Sequence, residues 1–292
     1  MKTENIFKTL FKMNVWFLAL TMMAFNVPVS HAQEDAVMTE EDGGYDGFKL
    51  AIPTIPYFDE ALNTFTEVSP IDIEIGFTVA SAYIWRGQNL GSDTSFQPYF
   101  TVSPDFEPEG FGDISFTTWA NITKNNSPDF NQNHNETDFS IDYSIDVLEY
   151  GSISAGYIYY DFPHVEDDSA DETQEFYVGA SLNVLLSPTF TWYHDFDAGS
   201  GEWITFGISH DFDLKVATIA THALLAYNKG QWGAREGFSS LDFGASLPIP
   251  IGDHMTIEPF ISYTKRLDEV WDDNQGLVHD ELYGGFGYSI SF

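Results

Sequence analysis

The sequence predicts an all-β fold: an antiparallel transmembrane β-barrel of twelve strands, preceded by a cleaved signal peptide. Three observations predict it. Leu282, Phe286, Tyr288, Ile290 and Phe292 alternate with Glu281, Tyr283, Gly285, Gly287, Ser289 and Ser291. Such period-2 alternation is a strand with one apolar and one small or polar face. Similar segments recur along most of the chain. After Phe25 no apolar stretch approaches the roughly 20 residues that a spanning helix needs, so a membrane form must cross as strands.

The leader comes first. Lys2, Lys8 and Lys12 make a basic start, Val15 to Phe25 an apolar core, and Ser30-His31-Ala32 a small-residue cleavage site. Cleavage is expected after Ala32, making 1–32 a signal peptide; a retained anchor is the alternative. Residues 33–70 read as an acidic, flexible lead. Glu40-Glu41-Asp42-Gly43-Gly44 is turn-like, and Ile52-Pro53-Thr54-Ile55-Pro56 cannot pair along a central strand. A plug folded into a barrel is the alternative for this lead, and either reading allows a short helix near Phe58 to Phe65.

Twelve alternating segments fill 71–292. The first runs from Ile71 to Trp85, with Ile73, Ile75, Phe77, Val79, Tyr83 and Trp85 on its apolar face. Ser95–Ser103, Asp113–Lys124 and Asp138–Val147 follow, the last opposing Phe139, Ile141, Tyr143 and Ile145 to Asp138, Ser140, Asp142 and Ser144. Ser152–Asp161 is Tyr-rich and its facing is ambiguous. Glu175–Val184, Phe190–Phe196, Trp203–Phe212, Val216–Tyr227, Ser240–Leu247, Met255–Thr264 and Leu282–Phe292 complete the set. Most have the 9 to 13 residues that a tilted strand needs. If the fifth and a neighbour failed to span, the count would be ten.

With both termini periplasmic, long external links should follow odd-numbered strands. Most links obey this; Asp197–Gly201 is short for an external loop and Pro104–Gly112 long for a periplasmic turn. A soluble β-sandwich, the main alternative fold, would not require the alternation.

Composition agrees with an exported β protein. Aromatics are 16% and charged residues 19%, and cysteine is absent, which removes disulfides and thiolate sites. The whole chain carries 11 basic and 45 acidic residues; removing Lys2, Lys8, Lys12 and Glu4 with the leader leaves 8 and 44, a net of −36. This field repels nucleic acid and attracts cations. Adaptation to a saline habitat would produce the same balance.

Ser81-Ala82-Tyr83-Ile84-Trp85-Arg86-Gly87 with Gln97-Pro98, and later Tyr193-His194-Asp195-Phe196-Asp197 with Trp203, resemble the TorF family of porin-like outer-membrane barrels. The resemblance spans about 71–292. It implies a barrel in the cell outer membrane and brings no catalytic residues. A final strand ending in Phe292 resembles the sorting signal read by the barrel assembly machinery, which together with outer-membrane lipid is an expected partner.

Function is expected in the lumen. The alternation points Glu74, Asp113, Asp138, Asp142, Glu175, Asp195, Asp242, Glu258 and Glu281 inward, with Arg86 the one inward Arg and His222 a further basic group. Carboxylate rings favour cations, and twelve strands enclose a narrow space. The expectation is passive passage of small solutes or cations. A plugged barrel with a structural or receptor role, in which Arg86 is a salt-bridge pin, is the alternative.

An outer-membrane lipid hydrolase is the enzyme reading. His194-Asp195 and His210-Asp211 sit in two His-Asp-Phe-Asp sequences, and Ser209 precedes the second. Adjacent strand residues face opposite ways, so His210 does not serve Ser209, and no catalytic residue is assigned. The acidic loops Val165–Glu172 and Asp268–Asn274 offer hard oxygen ligands without EF-hand spacing. They read as solvated loops, and no metal or cofactor is assigned. The sequence sets no oligomeric state.

Overall fold

The computed structural model describes residues 56–59, 64–67, 71–91, 93–105, 110–123, 134–163, 171–215, 217–268, 270–271 and 279–292. The expected signal peptide, 1–32, lies outside them. Within the expected flexible lead, Pro56–Asp59 and Thr64–Glu67 pair antiparallel, Phe58 opposite Phe65. This hairpin replaces the short helix allowed over Phe58–Phe65. Tyr57, Phe58, Thr64, Phe65 and Thr66 prefer extended backbone, and that preference prevails.

Twelve strands build the barrel: β1 (Ile71–Ala80), β2 (Ser95–Pro104), β3 (Asp113–Thr123), β4 (His134–Asp146), β5 (Gly151–Asp161) and β6 (Glu172–Leu182), then β7 (Thr189–Asp195), β8 (Gly201–Asp213), β9 (Thr218–Lys229), β10 (Gly237–Ser246), β11 (Met255–Arg266) and β12 (Glu281–Ser291). Each pairs antiparallel with its sequence neighbour, and β12 pairs with β1, closing the ring. The ten-strand alternative falls because β5 spans eleven residues and pairs along its whole length with β6.

The apolar residues lie on the outside. Val79 sits opposite Phe96, Ile75 opposite Phe100 and Phe116 opposite Ile141. Ile75, Phe96, Phe116, Ile141, Ile153, Phe206, Ile261 and Phe286 are all exposed. Meanwhile the buried set among the described residues is dominated by Asn, Gln, Ser, Thr, Asp and Glu. A soluble protein buries its large apolar groups; this chain displays them in a belt around a closed sheet. A bilayer is the medium that such a belt matches, and a closed barrel leaves no backbone edge for lipid to desolvate.

The β12–β1 seam is tight. A Cβ on Gly285 would lie 1.8 Å from the Val79 carbonyl oxygen, so only glycine fits there. The β7–β8 link, short for an external loop, is fastened by Asp195. Its Oδ1 accepts from the Asp197 and Ser200 amides, and Thr173 Oγ1 donates to its carboxylate.

β5 resolves its ambiguous facing. Tyr160 pairs with Asp138 and with Thr173, and Gly156 with Asp142 and Tyr177, so Gly156, Ile158 and Tyr160 face inward. Tyr157 and Tyr159 face outward and donate their hydroxyls to Gln174 and Glu172.

One expected strand is shorter than its alternation suggested. The wall part of the first segment ends at Ala80, and Tyr83–Trp85 folds back on Gln88–Gly91 as a separate hairpin. Tyr83, expected on the apolar outer face, is buried. The period-2 pattern runs on through Trp85, so alternation alone hid the break.

Candidate functional site: a hairpin latched into one mouth

The chain leaves the wall after Ala80. The Ser81 amide donates to the Gly284 carbonyl, and the Gly284 amide donates to Ser81 Oγ at 3.2 Å. The hairpin turns on Arg86 and Gly87, whose φ angles of 50° and 79° are both left-handed. Two-residue hairpins with positive φ at both central positions match strand twist. Gly87 adopts this freely, whereas Arg86 does so at a cost of roughly 1–2 kcal/mol. Its side-chain contacts offset that cost.

Arg86 makes a two-pronged ion pair, Nη1 and Nη2 each donating to Glu175 at 2.7 Å. Nη1 also donates to Gln231 Oε1. Glu175 receives Gln231 Nε2 at 2.5 Å and the Tyr160 hydroxyl at 2.8 Å. The guanidinium carbon lies 4.6 Å from the Trp85 ring, 5.0 Å from Tyr193 and 5.4 Å from Trp203. Side-chain exposures of 8% for Arg86 and 0% for Glu175 put the pair out of water. Burying two charges is costly; fork geometry, the amide and the phenol compensate it, and removing one partner alone costs about 3–5 kcal/mol.

Other contacts spread along the hairpin. The Tyr83 hydroxyl donates to Glu136 at 2.6 Å and its ring lies 5.8 Å from Trp119. Trp85 meets Tyr160 edge-on. At the tip, a Cβ on Gly87 would sit 2.9 Å from Ser240 Cβ. A hairpin rooted on β1 thus touches β3 to β8, the β9–β10 link and β10.

Polar side chains continue the layer. Asn121 Oδ1 accepts from Ser95 at 2.6 Å and Thr123 at 3.0 Å. Asp242 accepts from Ser240 and Thr264, and Asn228 Oδ1 from the Gln231 amide. Trp203, Ala226, Val270 and Trp271 form an apolar cluster beside it. Apart from Asp242, midway along β10, these wall residues lie toward the strand ends next to the odd-numbered links.

Of the residues singled out from sequence, the fold brings Arg86 and Glu175 into contact, with Asp138 paired in register to Tyr160 and Trp119 nearby. Arg86 is on the hairpin tip and not on strand one, because the wall strand ends six residues earlier. Asp195 holds its turn. Asp142 pairs with Ser115 and Gly156 deeper in the barrel. Glu74 accepts from Tyr99 at 2.6 Å and Ser291 at 3.2 Å, and Glu258 pairs with Gly287. Asp113 is exposed at the opposite mouth. Glu281 lies 2.7 Å from His279 Nε2. Glu136, Tyr160 and Gln231 were not singled out; the Arg-Gly pair is the local signal of a tight turn that would have pointed to the hairpin.

The histidines of the two His-Asp-Phe-Asp sequences sit among aromatics. His194 stacks on Trp192, and His210 meets Phe212 edge-on at 4.7 Å. Ser209 pairs with His222 and faces away from His210. The two acidic loops fall largely outside the described residues.

No family model matches the chain, and no curated protein matches it by sequence. Among solved structures it is similar to the KdgM porin in complex with disordered oligogalacturonate (12% identity, 76% of this chain and 99% of that one, TM-score 0.43). It is also similar to the NanC porin (10%, 76% and 99%, 0.44). A third is the COG4313 outer membrane channel from Pseudomonas putida F1 (7%, 76% and 94%, 0.47).

Proposed function

We propose that the chain is an outer-membrane channel for small solutes, its external mouth narrowed by the Tyr83–Gly91 hairpin and its lumen favouring cations. The single observation that carries the reading is the latched hairpin across a closed barrel. Charge supports the cation preference. Glu74, Asp138, Asp142, Asp242 and Glu258 share the face opposite the apolar belt. On that face of the described strands the one Lys or Arg is Arg266, at the mouth. Arg86 is neutralised by Glu175. Carboxylates so placed raise local cation concentration and repel anions. Outer-membrane lipid, and assembly machinery reading the strand to Phe292, are the partners of this proposal, and TorF membership is part of it.

Planar-bilayer conductance of the refolded protein under a salt gradient tests the reading. Steps with a cation-favouring reversal potential support it. The buried polar layer favours a second reading, a plugged barrel with a structural or receptor role. Silence from an inserted, folded protein would select that one.

A further inference from the structure

The groups that surround Arg86 belong, Trp85 apart, to the barrel and not to the hairpin. Glu175 is on β6, Tyr160 on β5, Tyr193 on β7, Trp203 on β8, and Gln231 in the β9–β10 link. Together they supply what guanidinium recognition uses: a carboxylate fork, an amide oxygen and two aromatic faces. The fork is oriented without help from the hairpin, since Gln231 Nε2 and the Tyr160 hydroxyl both donate to it. With the hairpin in place, Glu175 and Gln231 are 0% exposed. The hairpin contributes a cation on a backbone held at φ 50°.

We infer that this wall pocket is a guanidinium subsite, that Arg86 occupies it as a tethered ligand, and that guanidinium-bearing solutes exchange with Arg86 there. The inference rests on the cation-channel reading and names its solute class. The hairpin tethers Arg86 beside Glu175, so a free solute competes there with a local cation. Left-handed strain at Arg86 lowers the tether's advantage, which brings exchange within reach of a free solute. An ammonium has no planar fork and cannot make the paired bonds to Glu175. With one charge-assisted bond fewer, ammonium should be disfavoured relative to guanidinium by about ten- to a hundred-fold.

The test uses full-length Arg86→Ala in detergent and titrates tryptophan fluorescence, which Trp85 and Trp203 report, with methylguanidinium and with methylammonium. Expected is saturable binding of methylguanidinium at least about tenfold tighter than of methylammonium, lost in Arg86→Ala/Glu175→Gln. Equal or absent binding of the two overturns the inference. Should Arg86→Ala fail to fold, the wild-type channel decides. Stronger block of potassium current by methylguanidinium than by methylammonium supports the subsite, and equal block overturns it. A cation-selective channel indifferent to the two amines sinks the subsite alone. A channel without cation preference sinks the proposed function, and the fluorescence titration still decides the subsite.

Discussion

The two mouths of this barrel are made from the same alternating strands, yet they differ in almost every physical respect. At the mouth beside the odd-numbered links, Ser95, Asn121, Glu136, Thr173, Glu175, Asp195, Asn228 and Gln231 are buried and bonded to one another or to the hairpin. At the other mouth Asp72, Asp113, Asp146, Asp211 and Asp213 are exposed. An open cavity of about 450 Å³ is lined there by Asp72, Glu74, Thr101, Asp253 and His254. The difference teaches that alternation specifies the wall and leaves the mouths to longer-range pairing. One end stays a solvated rim. The other becomes a polar core because a single hairpin brings a cation to it.

Disturbing the latched mouth should have the largest effect. Glu175→Ala strands a buried guanidinium and should destabilise the latch by about 3–5 kcal/mol, which single-channel recording would show as larger, noisier conductance. Unchanged conductance would mean that the latch does not set the aperture. At the seam, Gly285→Ala places a methyl against the Val79 carbonyl, a strain of about 1–3 kcal/mol. It should cut the yield of compact, heat-modifiable barrel on refolding. A normal yield would show that β12 and β1 can part without loss.

Smaller effects test the acidic interior. Asp142→Asn or Glu258→Gln should move the reversal potential toward zero while conductance at high salt stays near wild type, because salt screens such fields. A reversal potential that ignores both changes would place selectivity elsewhere. Smallest is Tyr83→Phe, which removes one buried donor to Glu136 and should cost about 1–3 kcal/mol of local stability, read by hydrogen exchange of Tyr83–Gly91. Uniform exchange with the wild type would separate Tyr83 from the latch.

How much of this was legible in the sequence follows the same division. The strands were legible wherever side chains sort cleanly, as in Phe139, Ile141, Tyr143 and Ile145 against Asp138, Ser140, Asp142 and Ser144. β5 was not, because tyrosine suits either face: Tyr157 and Tyr159 point outward and still hydrogen-bond, while Tyr160 points inward to Glu175. The hairpin was masked because Tyr83 and Trp85 continue the period of β1. Glu175 lies 89 residues from Arg86, and Gln231 lies 145 from it. Local pattern carries no information about such pairings, since closure of the ring is what makes them neighbours.

The most direct measurement is the single-channel conductance of a variant in which two glycines replace residues 83–91, recorded beside the wild type in the same bilayer. A hairpin that narrows the mouth predicts a several-fold larger conductance with the cation preference retained. Equal conductances would contradict the account and leave the Arg86–Glu175 latch a purely structural bond.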